Sequence, residues 1–325
     1  MVRRVATRWQ SMRLSEAKQR LAPPRAPHGT RHHRMRTEME RVDSRDEALR
    51  VIARRVASSP VTRAGITLVR HVLPPAPVQL TRYDVAVLGL PRHLDGLRVL
   101  HLSDLHVHPG SDLAWQVPDL IASVAYDLLC YTGDFIDVDD DLPALSTLLA
   151  RMPRTGEAYA VLGNHDYIPF GRSHGSNDVA GLRSVLEQAG IAVLTNEARA
   201  AAGDGLYIVG VDDPATRRDN LELAMLGVPH PACTLVLAHS PDVMLRLSTR
   251  RPSLVLAGHT HGGQIRLPHV GPILTLSQVP RHLAMGLGRY EEVPLFVSRG
   301  IGYSGLYLRL GSPAEVALLT LRPAA

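Results

Sequence analysis

Residues 128–137 read Leu128-Leu129-Cys130-Tyr131-Thr132-Gly133-Asp134-Phe135-Ile136-Asp137. A short unbroken run of apolar and β-favouring residues stops abruptly at glycine and two carboxylates. Such a run, without polar alternation, predicts a strand covered on both faces. The polar residues then fall where the strand leaves the sheet. The same grammar recurs on either side. A strand over 97–102 is followed by Ser103-Asp104-Leu105-His106, and one over 159–162 by Gly163-Asn164-His165-Asp166. A strand over 234–238 runs into His239, and one over 254–257 into Gly258-His259-Thr260-His261. A further strand is expected at 206–211. Helical stretches near 113–125, 142–151, 178–189 and 241–249 separate these runs. Strands alternating with helices predict an α/β fold. Residues 264–322, richer in glycine and short strand-like runs, read as antiparallel. There is no internal repeat.

In open α/β sheets, binding sites form beyond the carboxyl ends of the strands. Five strand ends can therefore deliver two aspartates, one asparagine and several histidines to one place. Carboxylate oxygen, amide oxygen and neutral imidazole suit borderline-to-hard divalent metals such as Mn, Fe or Zn. One carboxylate can bridge two metals, and a pair of metals can stabilise both attacking and leaving oxygens at phosphorus. Glycines before Asp134, Asn164 and His259 permit tight turns and close backbone approach. Each piece alone is weak: an Asp-x-His triplet is common, a lone His239 reads as a hydrogen-bonded structural residue, and His259-x-His261 reads as a polar turn. The joint, ordered occurrence at strand ends is what carries the chemistry.

Composition places limits on the rest. Residues 1–73 carry 17 Lys+Arg against 6 Asp+Glu, a balance of +11, whereas residues 74–325 carry 19 against 25, a balance of −6. The sequence pI near 9.5 is thus a property of the N-terminal segment, and the mildly acidic body argues against a uniformly basic nucleic-acid binder. Of the 36 basic residues only Lys18 is lysine, a skew with no evident chemical need. Cys130 and Cys233 each lie in an apolar run, as core thiols in a reducing compartment do, with a Cys130–Cys233 disulfide as the minor alternative. Nothing approaches the run of about 20 apolar residues needed to span a membrane, and Arg3-Arg4 has no apolar stretch behind it to make an export signal. The expected setting is cytoplasmic, with peripheral contact at the inner face of the membrane as an option.

Residues 1–77 read as a basic leader. Residues 1–34 lack apolar period and are expected to be disordered. Residues 35–56 carry a thin apolar stripe, Met35, Met39, Val42, Leu49, Ile52 and Val56, flanked by arginines. This predicts an amphipathic helix that packs on the body or a partner, or lies on an anionic membrane. Pro74-Pro75-Ala76-Pro77 is a stiff linker, and the domain proper is 78–325.

The order Asp-x-His, Gly-Asp-x-x-Asp, Gly-Asn-His-Asp, His, Gly-His-x-His resembles the calcineurin-like metallophosphoesterase superfamily. The extended run Gly258-His259-Thr260-His261-Gly262-Gly263-Gln264, with Ser103-Asp104-Leu105-His106 and Ser298-Arg299-Gly300-Ile301-Gly302, resembles its YkuE-like bacterial subgroup. The resemblance covers about 78–322. It implies a four-layer α/β/β/α sandwich around a dinuclear metal site. It implies that Asp104, His106 and His261 bind one metal, that Asn164, His239 and His259 bind the other, and that Asp134 bridges them. It further implies a metal-dependent phosphoric ester hydrolase in which a metal-bridging hydroxide attacks phosphorus in line. The scissile bond would be a phosphodiester or pyrophosphate, on a lipid-linked or nucleotide-linked substrate. His165 would serve the leaving group, and Asp137 would pair with and orient His165. Relatives often carry a membrane span or export signal ahead of the domain, and this chain departs from them there.

Several residues have weaker claims. His108 is expected to be exposed. The loop 167–178 holds Arg172 and His174, suited to gripping phosphate or simply solvated. Asp166 is expected to cap the turn that follows it, and Asp139-Asp140-Asp141 to begin a helix. Two rival functions stay open: a non-catalytic scaffold of the same fold, and a nucleic-acid phosphodiesterase recruited by the basic leader. Nucleic acid ranks last, and nothing in the sequence sets the oligomeric state.

Overall fold

The computed structural model describes residues 59, 76–153, 155–169, 175–203, 205–247 and 250–324. The expected disorder of 1–34, the helix at 35–56, and Arg172 and His174 lie outside them. The first strands are β1 (Gln79–Val87), β2 (Arg98–Leu102), β3 (Leu128–Thr132), β4 (Glu157–Val161) and β5 (Ile191–Val193). Then come β6 (Glu197–Ala201), β7 (Leu206–Gly210), β8 (Cys233–Leu237), β9 (Leu254–Ala257), β10 (Arg266–Leu267) and β11 (Gly271–Pro272). The chain closes with β12 (Gly286–Tyr290), β13 (Val293–Val297) and β14 (Glu315–Pro323).

These strands make two six-stranded sheets, ordered β1-β14-β2-β3-β4-β5 and β12-β13-β9-β8-β7-β6, plus the β10-β11 hairpin. The apolar side chains sort into three layers of packing. On the outer face of the first sheet, Leu100, Leu129 and Ala160 meet Leu145, Leu148 and Leu182 from the helices Leu142–Arg151 and Val179–Gln188. Between the sheets, Val99, Leu128 and Val161 meet Ile208, Leu235 and Phe296. On the far face of the second sheet, Val209, Val236 and Val255 meet Leu221, Met225 and Val243. Helix, sheet, sheet and helix layers follow in that order, as the resemblance implies. Phe296 is fully buried between the sheets, edge-on to Tyr83 at 4.9 Å. Truncating it to alanine would cost about 3–5 kcal/mol. Cys130 and Cys233 are free thiols in this inter-sheet layer.

The apolar runs behave as read: β3, β8 and β9 are buried at every position. Two readings need correction. The tail is not simply antiparallel: β12–β13 is, but β13 joins β9 in parallel, and β14 lies antiparallel to β2 and parallel to β1. Strand direction here is set by distant partners rather than local pattern. The stretch near 241–249 forms a 3-10 turn, Pro241–Arg246, capped by Ser240 Oγ accepting from the Asp242 amide. Edge strands β1 and β6 escape the apolar pattern because half their residues face water.

β2, β3 and β4 run parallel in the first sheet, and β7, β8 and β9 run parallel in the second. Among the described residues no helix is long and apolar enough to cross a membrane.

Candidate metal centre

The strand ends turn sharply. Asp104, His106, Asp134, His259 and His261 all have left-handed backbones, with φ of 53°, 42°, 54°, 69° and 50°. For non-glycine residues each such conformation costs on the order of 1–2 kcal/mol. A concentration of them in one place signals that the side chains are aimed rather than relaxed. Glycine makes the turns fit. Gly133, at φ 87°, packs so closely on the Gly163 backbone that any Cβ would overlap it, and a Cβ on Gly258 would enter the Ser103 and Asp104 side chains.

These turns bring the predicted residues together in two buried groups. In the first, Asp104, His106 and His261 present one ligand atom each, all within 4.8 Å of one another. His261 Nε2 lies 3.3 Å from Asp104 Oδ1 and 3.3 Å from His106 Nε2. In the second, Asp134, His239 and His259 meet the same limit. His239 Nε2 lies 3.2 Å from Asp134 Oδ2, 3.2 Å from Asn164 Oδ1 and 3.1 Å from His259 Nδ1. Asp134 Oδ2 also stands 3.7 Å from His106 Nε2, so this carboxylate faces both groups.

The hydrogen bonds behind the rings decide what the centre can hold. His239 Nδ1 donates to the Thr132 carbonyl at 2.7 Å, and His259 Nε2 to the Leu276 carbonyl at 3.0 Å. Their other nitrogens therefore turn lone pairs inward, toward an asparagine oxygen and a carboxylate. With His239 neutral, four acceptors converge here as a cradle for a cation. His106 behaves alike: Nδ1 gives its hydrogen to Asp137 Oδ1 at 2.7 Å, leaving Nε2 as an inward acceptor. His261 differs. Arg309 Nη2 lies 3.0 Å from its Nδ1, and a guanidinium only donates, so the ring hydrogen sits on the inward Nε2. The first group thus fits a metal once that hydrogen leaves and His261 changes tautomer, while the second needs only the His239 ring proton to be displaced.

The electrostatics agree. Burial works against a charged His239, yet Asp134, with Asp104 and Asp213, pushes it up to about 10. Burial likewise opposes charge on His106, and Asp137 with Asp134 and Asp104 lifts it to about 9. Asp134 is held well below the usual carboxylate range by His239, His165 and His106 despite its burial. Burial holds His261 well below its ordinary value against the pull of Asp104. Each group thus keeps one imidazole eager for positive charge.

Other predicted residues fall around this centre. His165 is half-buried, its ring edge-on to His106 at 5.3 Å, and its amide donates to Asp134 Oδ1 at 2.8 Å. Its carbonyl accepts from Asn177 Nδ2 at 2.8 Å. Asp137 makes its hydrogen bond with His106, where the resemblance implied His165. Asp166 does more than cap. Its carboxylate accepts the amides of Gly163, Asp134 and Phe135 at 2.8, 2.9 and 2.8 Å, tying the β3 and β4 exits together. Asp139 Oδ1 accepts from the Asp178 amide at 2.7 Å, beside the helix start as expected. The run 298–302 braces Asp104: Gly302 N donates to the Asp104 carbonyl at 2.7 Å, and Arg299 pairs with buried Glu315 at 2.8 Å. His108 stacks edge-on against Tyr307 at 5.8 Å. Arg309 escaped the sequence reading. Its signal was faint, a single charge flanked by Leu308 and Leu310.

A family model for calcineurin-like phosphoesterase matches residues 97–263, from the strand before Asp104 to just past His261. The chain belongs to the calcineurin-like phosphoesterase family. As a family member it is a metal-dependent phosphoric ester hydrolase, acting on a phosphoester substrate. It is similar to the uncharacterized metallophosphoesterase YkoQ of Bacillus subtilis, 33% identical over 235 residues, which span 70% of this chain and 84% of that one. It is also similar to the uncharacterized metallophosphoesterase YkuE of the same organism, 27% identical over 288 residues, spanning 86% and 98%. Phosphodiesterase YaeI of Escherichia coli is 32% identical over 240 residues, spanning 69% and 82%. The expected membership, and its YkuE-like character, thus hold for this phosphoesterase.

Proposed function

We propose that this calcineurin-like phosphoesterase is a dinuclear enzyme that hydrolyses phosphodiester or pyrophosphate bonds. The observation that carries the reading is the position of Asp134, whose Oδ2 stands 3.2 Å from His239 Nε2 and 3.7 Å from His106 Nε2. In this reading Asp104, His106 and His261 would hold one divalent ion, Asn164, His239 and His259 would hold the other, and Asp134 would bridge them. The oxygen and imidazole donors suit Mn, Fe or Zn. When bound, such ions supply an acidified water and neutralise charge on the phosphoryl oxygens.

The chain's own residues do the rest. Asp137 and the Thr132 and Leu276 carbonyls fix three imidazoles in the tautomers that present lone pairs. Asp166 locks the Asp134 and Asn164 turns against each other, so the spacing of the two groups is set by backbone. His165 is half-buried beside the centre. Burial pulls its ring below the ordinary histidine value, which makes it a neutral N–H donor at neutral pH. Its N–H would hydrogen-bond the leaving oxygen and stabilise the charge that develops there.

A lipid-linked or nucleotide-linked substrate is compatible with this chemistry. The phosphodiesterase name of YaeI supports the diester choice. Residues 78–325 are the proposed catalytic unit, since the first sheet alone reaches from Gln79 to Pro323, and 1–77 the proposed leader. Two free buried thiols support a reducing, cytoplasmic setting.

The test is hydrolysis of bis-p-nitrophenyl phosphate by the full chain with Mn, Fe and Zn in turn, with bound metal counted by elemental analysis. Activity with two ions per chain is expected. Two bound ions and no turnover with any metal would replace the enzyme with a scaffold.

A further inference from the structure

The chain that follows the last metal-site histidine does not return directly to the sheets. It builds a platform from two loops, 264–276 and 303–310. Leu310 N donates to the Gln264 carbonyl at 2.9 Å and Arg266 N to the Leu310 carbonyl at 2.7 Å. Buried Gln264 completes the join: its Nε2 donates to the Leu306 carbonyl at 2.7 Å, and its Oε1 accepts from Ser304 N at 2.9 Å. The platform is fastened to the metal centre itself. His259 Nε2 donates to the Leu276 carbonyl, Arg309 meets His261, and Tyr307 stacks on His108. It therefore stands at the strand-end side of the molecule, beside the site.

What the platform presents outward is unusual for that position. Val270 is 67% exposed, Ile273 52%, Leu310 50%, Tyr307 45% and Leu267 41%. These side chains come from both loops and are joined through the 265–310 bridge. Isolated exposed apolar residues need no explanation, but a cluster of this kind beside an active site marks an interaction surface. Its charge says what kind. Residues 243–290 contain no Asp or Glu, while Arg266, His269, Arg281 and His282 lie in the same stretch. Arg281 and His282 are exposed, and their segment is pinned near the centre where Thr260 Oγ1 donates to the Ala284 carbonyl at 2.6 Å. The neighbouring Asp242 is engaged by Ser277 Oγ and the Gln278 amide. In a domain whose balance is acidic, this edge combines apolar tips with basic flanks. Interfacial membrane surfaces have that composition: apolar side chains enter the headgroup boundary and cations meet anionic lipid.

We propose that loops 264–276 and 303–310 form a docking rim that seats on an anionic phospholipid bilayer and brings the metal centre to the headgroups. The rim is independent of the basic leader, and it favours phosphoesters presented at a bilayer surface.

Flotation of the full chain with vesicles tests it, comparing phosphatidylcholine alone with phosphatidylcholine plus phosphatidylglycerol. The chain is expected to float with the anionic vesicles and to be released by salt. Two double variants, Val270→Ser with Ile273→Ser on one loop and Tyr307→Ser with Leu310→Ser on the other, should each lower the bound fraction about tenfold by removing apolar area from the boundary. Hydrolysis of soluble bis-p-nitrophenyl phosphate should be unchanged in the first pair. Undiminished flotation of both pairs would overturn the rim and move membrane contact to the leader. Absence of flotation by the unaltered chain would overturn it outright, and a protein would then be the occupant to seek.

Discussion

The two halves of the metal centre are held in place by different means. Behind the second group stand main-chain carbonyls: Thr132 takes the His239 hydrogen and Leu276 that of His259. Behind the first group stand side chains of opposite charge, with Asp137 on His106 and Arg309 on His261. A backbone acceptor cannot be deleted by substitution, and it fixes a tautomer without adding net charge. A carboxylate fixes the tautomer and also makes the ring more basic, while a guanidinium favours the opposite tautomer. The second group is therefore set by the fold, and the first is adjustable through side chains. Asp134 belongs to both.

That shared position sets the largest expected effect. Asp134→Asn should empty both groups together and lower diester hydrolysis by at least on the order of 10^3-fold. Metal content and rate measured on the same preparation check it. Retention of one ion would show that the groups fill independently and that Asp134 does not bridge. Next in size, His165→Ala should keep both ions and lower kcat on the order of 10^2–10^3-fold, as loss of a hydrogen-bond donor to a developing anion does. Metal loss equal to that of Asp134→Asn would make His165 a ligand instead.

Asp137→Asn isolates the two halves. It should weaken the first group's affinity by roughly 10- to 100-fold, the usual effect of removing a carboxylate behind a metal-bound imidazole. The second group should be unaffected. Competition against a metal indicator, resolving two binding steps, reads the difference. Equal weakening of both steps would mean that the centre behaves as one unit rather than as two independently supported halves.

The division also explains what was visible in the sequence. Every proposed ligand position was legible as a candidate because each sits at a strand end next to a glycine or an apolar run, and the resemblance then sorted the candidates into two groups. Asp104, Asp134 and His259 could be placed without knowing a single contact. The supports were not legible, because each depends on a pairing between distant positions. Asp137 is 31 residues from His106, and Arg309 is 48 from His261. The resemblance implied that Asp137 would orient His165, but the fold pairs it with His106 in the parallel neighbour strand's loop instead. The same limit hid the direction of β13 and β14, and it hid the Gln264 clasp that turns two loops into one platform. The thin helical stripe at 35–56 was legible as a pattern but lies outside the described residues.

Acidity provides the finest test of the contrast. Without metal, His106 titrates near 9 and His239 near 10, against an ordinary histidine value near 6.5. Below those values a proton occupies each ring, and a metal ion must displace it. Apparent affinity should therefore rise about tenfold per pH unit for each step from neutral pH upward, levelling off near 9 for the first group and near 10 for the second. Asp137→Asn should move only the first plateau, and to lower pH. The metal-free protein gives the complementary sign. A folded-state value raised above the unfolded one stabilises the fold fully below about 6.5 and is lost as pH climbs through the folded value. In chelator, Tm should accordingly fall as pH rises from 7 toward 10, and Asp137→Asn should remove the part of that fall centred near 9. A metal-free Tm independent of pH over this range would mean that neither ring carries the proton, and the two groups would then differ in geometry alone.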